Sequence, residues 1–147
     1  MKRLYLAAPL FNASEQAFNE RVAAILEQHF EVFLPQRDGG LVIELIQKGI
    51  PAYQAKREIF DRDVAAIINA DVILAVLDGR AVDEGVAVEL GMAFAFGKLC
   101  WGLKTDTRSL AWFGDNPMIE VPLTRIFTTP KELADYLTST KTSLDLH

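Results

Sequence analysis

The run Val72–Leu77 contains no polar side chain, and it constrains the fold more than any other segment of the sequence. An uninterrupted run of β-branched and aliphatic residues is typical of a strand that is buried on both faces, as in parallel sheets. The run therefore favours a parallel sheet with helices packed on its two sides.

Strands and helices are predicted to alternate along the rest of the chain. Further strands are predicted at Leu4–Ala8, Glu31–Leu34, Leu99–Leu103 and Arg125–Phe127. Apolar spacing predicts helices over 13–30, 41–48, 53–69 and 84–96, and a last helix opened by Thr129 as N-cap, with loops at 37–40 and 104–116. This alternation predicts one parallel α/β domain over residues 1–147, with ligands bound beyond the carboxyl ends of its strands.

Composition excludes several classes of protein. Half of the 147 residues are hydrophobic and the net charge is −5, so we expect a packed core and neither disorder nor binding to a nucleic-acid polymer. No stretch of 18 apolar residues predicts a membrane span, and we expect no membrane partner. The single cysteine, Cys100, permits no intrachain disulfide, which favours a reducing cytoplasm.

Glu89 is the residue most indicative of chemistry. It is the only ionisable residue between Gly85 and Gly97, in a predicted helix that is apolar on every side and therefore expected to be buried. A buried carboxylate is costly unless it is hydrogen-bonded or paired, which favours a nucleophile or an acid/base group held in a pocket. The alternative is a glutamate on a narrow stripe that faces solvent.

Three other side chains are candidates to join Glu89. Asp83 lies at the turn before the same helix, where capping is its ordinary role, and Asp63 lies at the apolar edge of the preceding helix, where a surface position is an equal alternative. Tyr5, in the first strand, is either core or a phenol that bonds a buried carboxylate. Two or three carboxylates in one pocket suit glycosyl chemistry, in which one attacks the sugar and another handles the leaving group's proton.

Other templates are absent. The sequence has neither a phosphate-binding loop of the form G-x-x-x-x-G-K-[ST] nor a dinucleotide fingerprint G-x-G-x-x-G. Its two histidines, His29 and His147, stand in no motif, so neither a histidine-based triad nor a metal site is predicted.

Several motifs occur in order along almost the whole chain. The most specific is D-x-G-x-x-x-E-x-G-x-A, which begins at Asp83 and contains Gly85 and Glu89. The others are Tyr5-Leu6-Ala7-Ala8-Pro9-Leu10-Phe11, Ile59-Phe60-Asp61-Arg62-Asp63 followed by Ala70-Asp71, Gly97-Lys98, and Asn116-Pro117-Met118-Ile119. Together, these motifs resemble the nucleoside 2-deoxyribosyltransferase family.

The resemblance implies a five-stranded parallel sheet in a three-layer α/β/α domain of the flavodoxin or Rossmann type. It implies exchange of the base of a 2′-deoxynucleoside for a free purine or pyrimidine base, with retention at C1′ and no metal or organic cofactor. By position, Glu89 matches the nucleophile, Asp63 and Asp83 the supporting aspartates, and Tyr5 the tyrosine that orients the nucleophile.

The resemblance also implies substrate-binding residues and an assembly. Asn116 matches an asparagine that enters a neighbouring subunit's site and binds the sugar's 5′-hydroxyl, so a homo-oligomer (dimer, tetramer or hexamer) is expected. Gln36 is similar to a glutamine that contacts the base. Phe11 is a candidate to stack on the base, and Gly85 and Met118 are expected to line the substrate site.

Two other functions remain open from the sequence. A hydrolase on the same scaffold would cleave nucleosides or their 5′-monophosphates with water. Pro9, Leu10 and Phe11 in the first loop favour an unphosphorylated sugar, whereas Ser14 and Arg80 keep the hydrolase open. The second alternative is a nucleotide-sensing or protein-binding module in which Glu89 is structural.

Overall fold

The computed structural model describes residues 1–106, 108 and 112–140, and its centre is a parallel sheet of five strands. In spatial order these are β2 (Glu31–Phe33), β1 (Arg3–Ala7), β3 (Val72–Val76), β4 (Leu99–Leu103) and β5 (Arg125–Phe127). All four neighbouring pairs are parallel, and β1 pairs with β3 through Tyr5 opposite Ile73. The predicted three-layer α/β fold with a five-stranded parallel sheet is confirmed.

Helices cover both faces of this sheet. They are α1 (Ala13–Leu26), α2 (Val42–Gln47), α3 (Ala52–Asn69), α4 (Glu84–Ala95), α5 (Pro117–Glu120) and α6 (Pro130–Ser139). Side chains alternate between the faces of the strands, which gives two core layers. Leu4, Leu6 and Trp101 pack in the layer of α1 and α6, whereas Tyr5, Ile73 and Cys100 pack in the layer of α3 and α4.

Capping residues explain where the helices begin. Asn12 and Thr129 accept hydrogen bonds from the backbone N–H groups of Glu15 and Glu132, at the starts of α1 and α6. The predicted N-cap at Thr129 is therefore confirmed. Gly97, with φ of 71°, follows α4 in the left-handed conformation that ends many helices.

Three local predictions were wrong. Residues 37–40 were expected to be a loop, but Pro35–Gly39 form one turn of π-helix, which we call the π-turn. The backbone N–H of Asp38 bonds the carbonyl of Leu34, and the carboxylate of Asp38 accepts from the Leu34 N–H at 2.8 Å. The helix predicted over 13–30 ends at Leu26, because the chain must turn before β2.

The third difference concerns α4, which was expected to be buried all round. Val86, Leu90 and Ala93 are buried against the sheet, but Val88 and Phe94 are 56% and 58% exposed. One sheet covers only one side of a helix, so the outward apolar side chains have no cover within one chain. Within the described part of the chain, no helix has both the length and the hydrophobicity needed to cross a membrane.

Candidate active site

The centre of the candidate site is a hydrogen bond between β1 and α4. The phenol of Tyr5, which is fully buried, donates to Oε1 of Glu89 at 2.8 Å. The Tyr5 ring stacks on Phe33 of the neighbouring strand, with ring centroids 5.5 Å apart, so the phenol is held in place from behind. Glu89 thus lies on the covered side of α4, and the solvent-facing alternative for this residue does not apply.

Asp83 caps the helix that carries Glu89. Its Oδ2 accepts from the Val86 N–H at 3.1 Å, which is the ordinary role expected of it. Its negative charge is also close enough to Glu89 to favour the protonated form of that side chain. Gly85 follows in the first turn of α4, where an added Cβ would lie 3.1 Å from Asp83 Oδ2.

Asp63 projects from α3 toward Glu89. Its Oδ1 is inaccessible to solvent and has no hydrogen-bond partner among the described residues. Burial raises the pKa of Asp63 to about 6, although the neighbouring charge of Arg62 acts to lower it. A carboxyl group with this environment can hold a proton near neutral pH and can release it to a bound group.

The same environment perturbs Glu89 more strongly. Burial raises the pKa of Glu89 to about 8, the hydrogen bond from Tyr5 opposes that rise, and the charges of Asp63 and Asp83 add to it. Burial, together with the nearby Glu89 and Asp63, also raises the pKa of the Tyr5 phenol, which therefore stays a donor. The site combines one strong donor with two carboxyl groups whose protonation changes around neutral pH.

Two adjoining cavities open onto these carboxyl groups. The larger, about 530 Å³, is called the Glu89 cavity, and it contains Asp63, Glu89 and Gly85. Its other lining residues are Val42, Lys56, Ile59, Phe60, Val64, Ile67, Glu84, Val88 and Met92. The smaller, about 350 Å³, is called the Phe11 cavity.

The Phe11 cavity is lined mostly by apolar groups. Asp63 is shared by both cavities, as are Val42 and Ile59. Its remaining lining residues are Leu10, Phe11, Gln16, Pro35, Gly40, Leu41 and Ile43. Phe11, which was predicted as a site residue, thus lines the same cavity as Asp63, and Asp63 lines both cavities.

Gln36 is placed differently from the other predicted residues. Its Oε1 accepts from Asn19 Nδ2 at 2.9 Å, and its Nε2 donates to the carbonyl of Gln16 at 3.1 Å and to Glu20. These bonds turn the Gln36 amide toward α1, and Gln36 lines neither cavity. Gln16 lines the Phe11 cavity instead, a position that helical spacing alone did not mark as functional.

Asn116 and Met118 also lie apart from Glu89 within one chain. They line a third cavity, of about 490 Å³, formed by residues 113–119, which include most of α5, and by Ala81, Val82 and Ala87 around the start of α4. Asn116 Oδ1 accepts from the Met118 N–H at 2.9 Å, and the Met118 side chain is 80% exposed. Val42 and Ile59 were not predicted as site residues, because apolar lining carries no sequence signal distinct from core packing.

No cluster of three or more histidine, cysteine, aspartate or glutamate side chains suited to a metal ion occurs within the described ranges. The fold and the site together define a three-layer α/β protein with carboxyl groups gathered in an apolar cleft against the sheet. The family model of the nucleoside 2-deoxyribosyltransferases matches residues 4–134, and the chain belongs to this family. The family supports a glycosyl-transfer or glycoside-hydrolysing enzyme.

Solved structures share the fold. A 2-deoxyribosyltransferase from Bacillus psychrosaccharolyticus matches with a TM-score of 0.76 at 21% identity, covering 91% of each chain. A Leishmania mexicana protein described as a 2-desoxiribosyltransferase matches with a TM-score of 0.66 at 22% identity, covering 94% of this chain and 98% of that one. A CMP N-glycosidase from Clostridium botulinum matches with a TM-score of 0.59 at 22% identity, covering 93% of this chain and 99% of that one. No curated protein matches the sequence.

Proposed function

We propose that this protein transfers the 2-deoxyribosyl group of a 2′-deoxynucleoside to a free purine or pyrimidine base through a covalent intermediate on Glu89. The observation that carries the proposal is the 2.8 Å bond from Tyr5 to Glu89 Oε1. It fixes one carboxylate oxygen and leaves Oε2 for attack, in a cavity large enough for a sugar.

The first step breaks the N-glycosidic bond. A Glu89 oxygen attacks C1′, and the bonding electrons pass to the departing base. The protonated Asp63 donates its proton to a ring nitrogen or oxygen of that base. Asp63 is better suited to this task than Asp83, since Asp83 is committed to capping α4, whereas Asp63 Oδ1 has no described partner and the Asp63 side chain lines both cavities.

The second step reverses the first with a different base. A ring nitrogen of the incoming base attacks C1′ from the side opposite Glu89, the C1′–O bond breaks, and Glu89 regains its negative charge. The proton lost by the incoming base returns to Asp63. Two inversions give net retention at C1′.

The two cavities suggest how the substrate divides between them. The sugar occupies the Glu89 cavity, and the base occupies the Phe11 cavity, where Phe11 provides an aromatic face for stacking. An unphosphorylated sugar is favoured, because Ser14 and Arg80 line neither cavity. Gln36 stays a predicted base contact only if its amide turns away from α1.

A second copy of the chain completes the site in this proposal. Asn116 and Met118 lie outside the Glu89 cavity of their own chain, as expected if they enter the cavity of a neighbour. The half-exposed apolar side chains Val88 and Phe94 on α4, beside that cavity, offer surface for such an assembly. Deoxynucleosides, free bases and further copies of the chain are then its partners.

The test is incubation with a 2′-deoxynucleoside and a second free base. The proposal predicts the exchanged nucleoside. Release of free base without exchange favours the hydrolase alternative, which gains plausibility from the shared fold of the CMP N-glycosidase. If neither the exchanged nucleoside nor free base forms, the result favours a binding module. A 5′-monophosphate substrate tested in parallel checks the preference for an unphosphorylated sugar.

A further inference from the structure

Gly39, at the end of the π-turn, faces the carboxyl group of Asp63. A Cβ atom added to Gly39 would lie 2.7 Å from Asp63 Oδ1, which is closer than such atoms approach in real proteins. Gly39 is buried, and the oxygen it faces is the one with no described hydrogen-bond partner. Asp63 Oδ1 therefore packs against the Cα of Gly39, in the space that a side chain at residue 39 would occupy.

Backbone conformation does not explain this glycine. Its neighbour Gly40 has φ of 81°, in the region that favours glycine, but Gly39 is outside the set of glycines with positive φ. Alanine could therefore adopt the backbone conformation of residue 39. What excludes a side chain there is the space occupied by Asp63 Oδ1, with the ring of Phe33 3.5 Å from the added atom.

The π-turn is fixed at both ends, so Gly39 cannot easily retreat. Asp38 Oδ2 accepts from the Leu34 N–H at 2.8 Å at its start. At its end, Arg62 Nη1 donates to the Gly39 carbonyl at 3.1 Å. Arg62 precedes Asp63 on α3, so the helix that carries the Asp63 carboxyl group also fixes the backbone of Gly39, against which that group packs.

From this geometry we infer that Gly39 is a positioning residue, which holds Oδ1 of Asp63 away from water and from hydrogen-bond donors so that the carboxyl group can exchange a proton with the base. The inference rests on the proposed role of Asp63. A methyl group at residue 39 pushes Oδ1 toward the adjoining cavities, where water hydrates it. Hydration favours the ionised form and leaves less proton to donate.

Several other titratable or charged groups surround Asp63 and are unchanged by substitution at residue 39. Arg62 acts on Asp63 from the same helix, and Glu89 and Tyr5 face it from α4 and β1. Lys56 and Glu84 line the same cavity, and Asp83 acts on Glu89 from the start of α4. A change in Asp63 titration on replacing Gly39 therefore reports displacement and hydration.

The experiment compares Gly39→Ala with Gly91→Ala, a control at which an added Cβ meets no atom within 4 Å. Carbon-13 NMR of the side-chain carboxyl groups, assigned with Asp63→Asn, follows Asp63 as a function of pH. We expect the Asp63 pKa to fall from about 6 toward the ordinary value in Gly39→Ala and to stay in Gly91→Ala. Exchange by Gly39→Ala should fall about tenfold or more, in kcat rather than KM.

An unchanged Asp63 titration in Gly39→Ala overturns the inference. If Gly39→Ala is too unstable to titrate, thermal unfolding is compared in the Asp63→Ala background. Removing the carboxyl group should make alanine at residue 39 tolerable, and equal destabilisation in both backgrounds overturns the inference. These readouts need no turnover, so they stay informative even if the protein exchanges no bases, a result that would defeat only the proposed function.

Discussion

Tyr5 Oη and Glu89 Oε1 lie 2.8 Å apart, and this bond joins the middle of the first strand to the middle of α4. Among the influences on Glu89, this hydrogen bond is the one that favours the ionised carboxylate, against burial and the charges of Asp63 and Asp83. In the proposed mechanism, Tyr5 therefore both orients Glu89 as the nucleophile and keeps its charged form accessible.

Replacing Tyr5 with phenylalanine tests that role. Without the donor, the pKa of Glu89 should rise further above about 8, because burial is then unopposed. Hydrogen bonds to charged groups contribute about 1.5–3 kcal/mol, so exchange near neutral pH should fall about ten- to hundredfold. A pH–rate profile checks this: the deficit of Tyr5→Phe relative to the wild type should shrink as the pH rises. An unchanged profile would mean that the bond has no bearing on ionisation.

Glu89→Gln should abolish exchange, since an amide cannot form the sugar ester. We expect a loss of several orders of magnitude with the fold retained, because the substitution keeps the size of the side chain. The matched control is Glu58→Gln on α3, whose carboxylate accepts a hydrogen bond from the exposed Gln54. Near-normal exchange by Glu89→Gln, measured by chromatography of the product nucleosides, would rule out Glu89 as the nucleophile.

Asp63→Asn should impair departure of the base. Loss of a general acid reduces rates by about 10²- to 10⁴-fold, and the deficit should shrink for bases that leave easily without a proton. Asp61→Asn is the control on the same helix, because Asp61 is exposed and pairs with Arg57. If the deficit is the same for every leaving base, Asp63 does not supply the proton.

The pH dependence of kcat/KM should be bell-shaped. With a pKa of about 6 for Asp63 and about 8 for Glu89, the pair holds one proton between those values. The reactive form has Glu89 ionised and Asp63 protonated, which is the minor of the two arrangements of that one proton. Activity therefore falls below about pH 6, where both groups are protonated, and above about pH 8, where neither is. In Asp63→Asn the alkaline decrease should vanish. A persistent alkaline decrease would assign it to another group.

Stability should decrease as the pH rises. A carboxyl group whose pKa is raised by folding stabilises the protein below its ordinary pKa, and this contribution is lost as the pH rises through the folded value. For Glu89 the window runs from 4.5 to about 8, at up to about 1.4 kcal/mol per pKa unit. The melting temperature of Glu89→Gln should therefore be higher than that of the wild type at pH 9 and close to it at pH 4. The reverse order in calorimetry would contradict the burial of Glu89.

Much of the fold is predictable because its signals are local. The run Val72–Leu77 predicts a doubly covered strand, which the structure has over Val72–Val76, and Thr129 with Pro130 predicts a helix start from adjacent residues alone. The π-turn is not predictable in this way, since its polar and glycine residues are also typical of loops. Its conformation depends on the Asp38 carboxylate bonding Leu34 and on Arg62 from a distant helix.

The candidate site divides along the same line. An acid in an apolar helix marks Glu89, but which side of α4 the sheet covers is a tertiary property, and the sequence overestimates the burial of that helix. The amide of Gln36 is oriented by Asn19 and Gln16, partners 17 and 20 residues away. Such contacts leave no trace in spacing, so Gln16 and the space in front of Gly39 become visible only in three dimensions.

The assembly can be tested by mixing two inactive variants. In the proposed assembly, Asn116→Ala lacks the residue that is donated to a neighbour, and Glu89→Ala lacks the proposed nucleophile. If Asn116 acts across an interface, subunit exchange between them restores complete sites, about a quarter of the total for random pairing in dimers. Each variant alone should stay inactive. If exchange activity does not recover after verified subunit exchange, Asn116 does not contribute to a neighbouring subunit's site.

The most direct measurement is mass spectrometry of the protein quenched in acid during turnover of a 2′-deoxynucleoside without an acceptor base. The account predicts a mass increase of one deoxyribosyl group, found in the peptide that contains Glu89 and removed when a free base is added before the quench. Exchange activity accompanied by an adduct on any other residue, or by no adduct under conditions where one should accumulate, would contradict it.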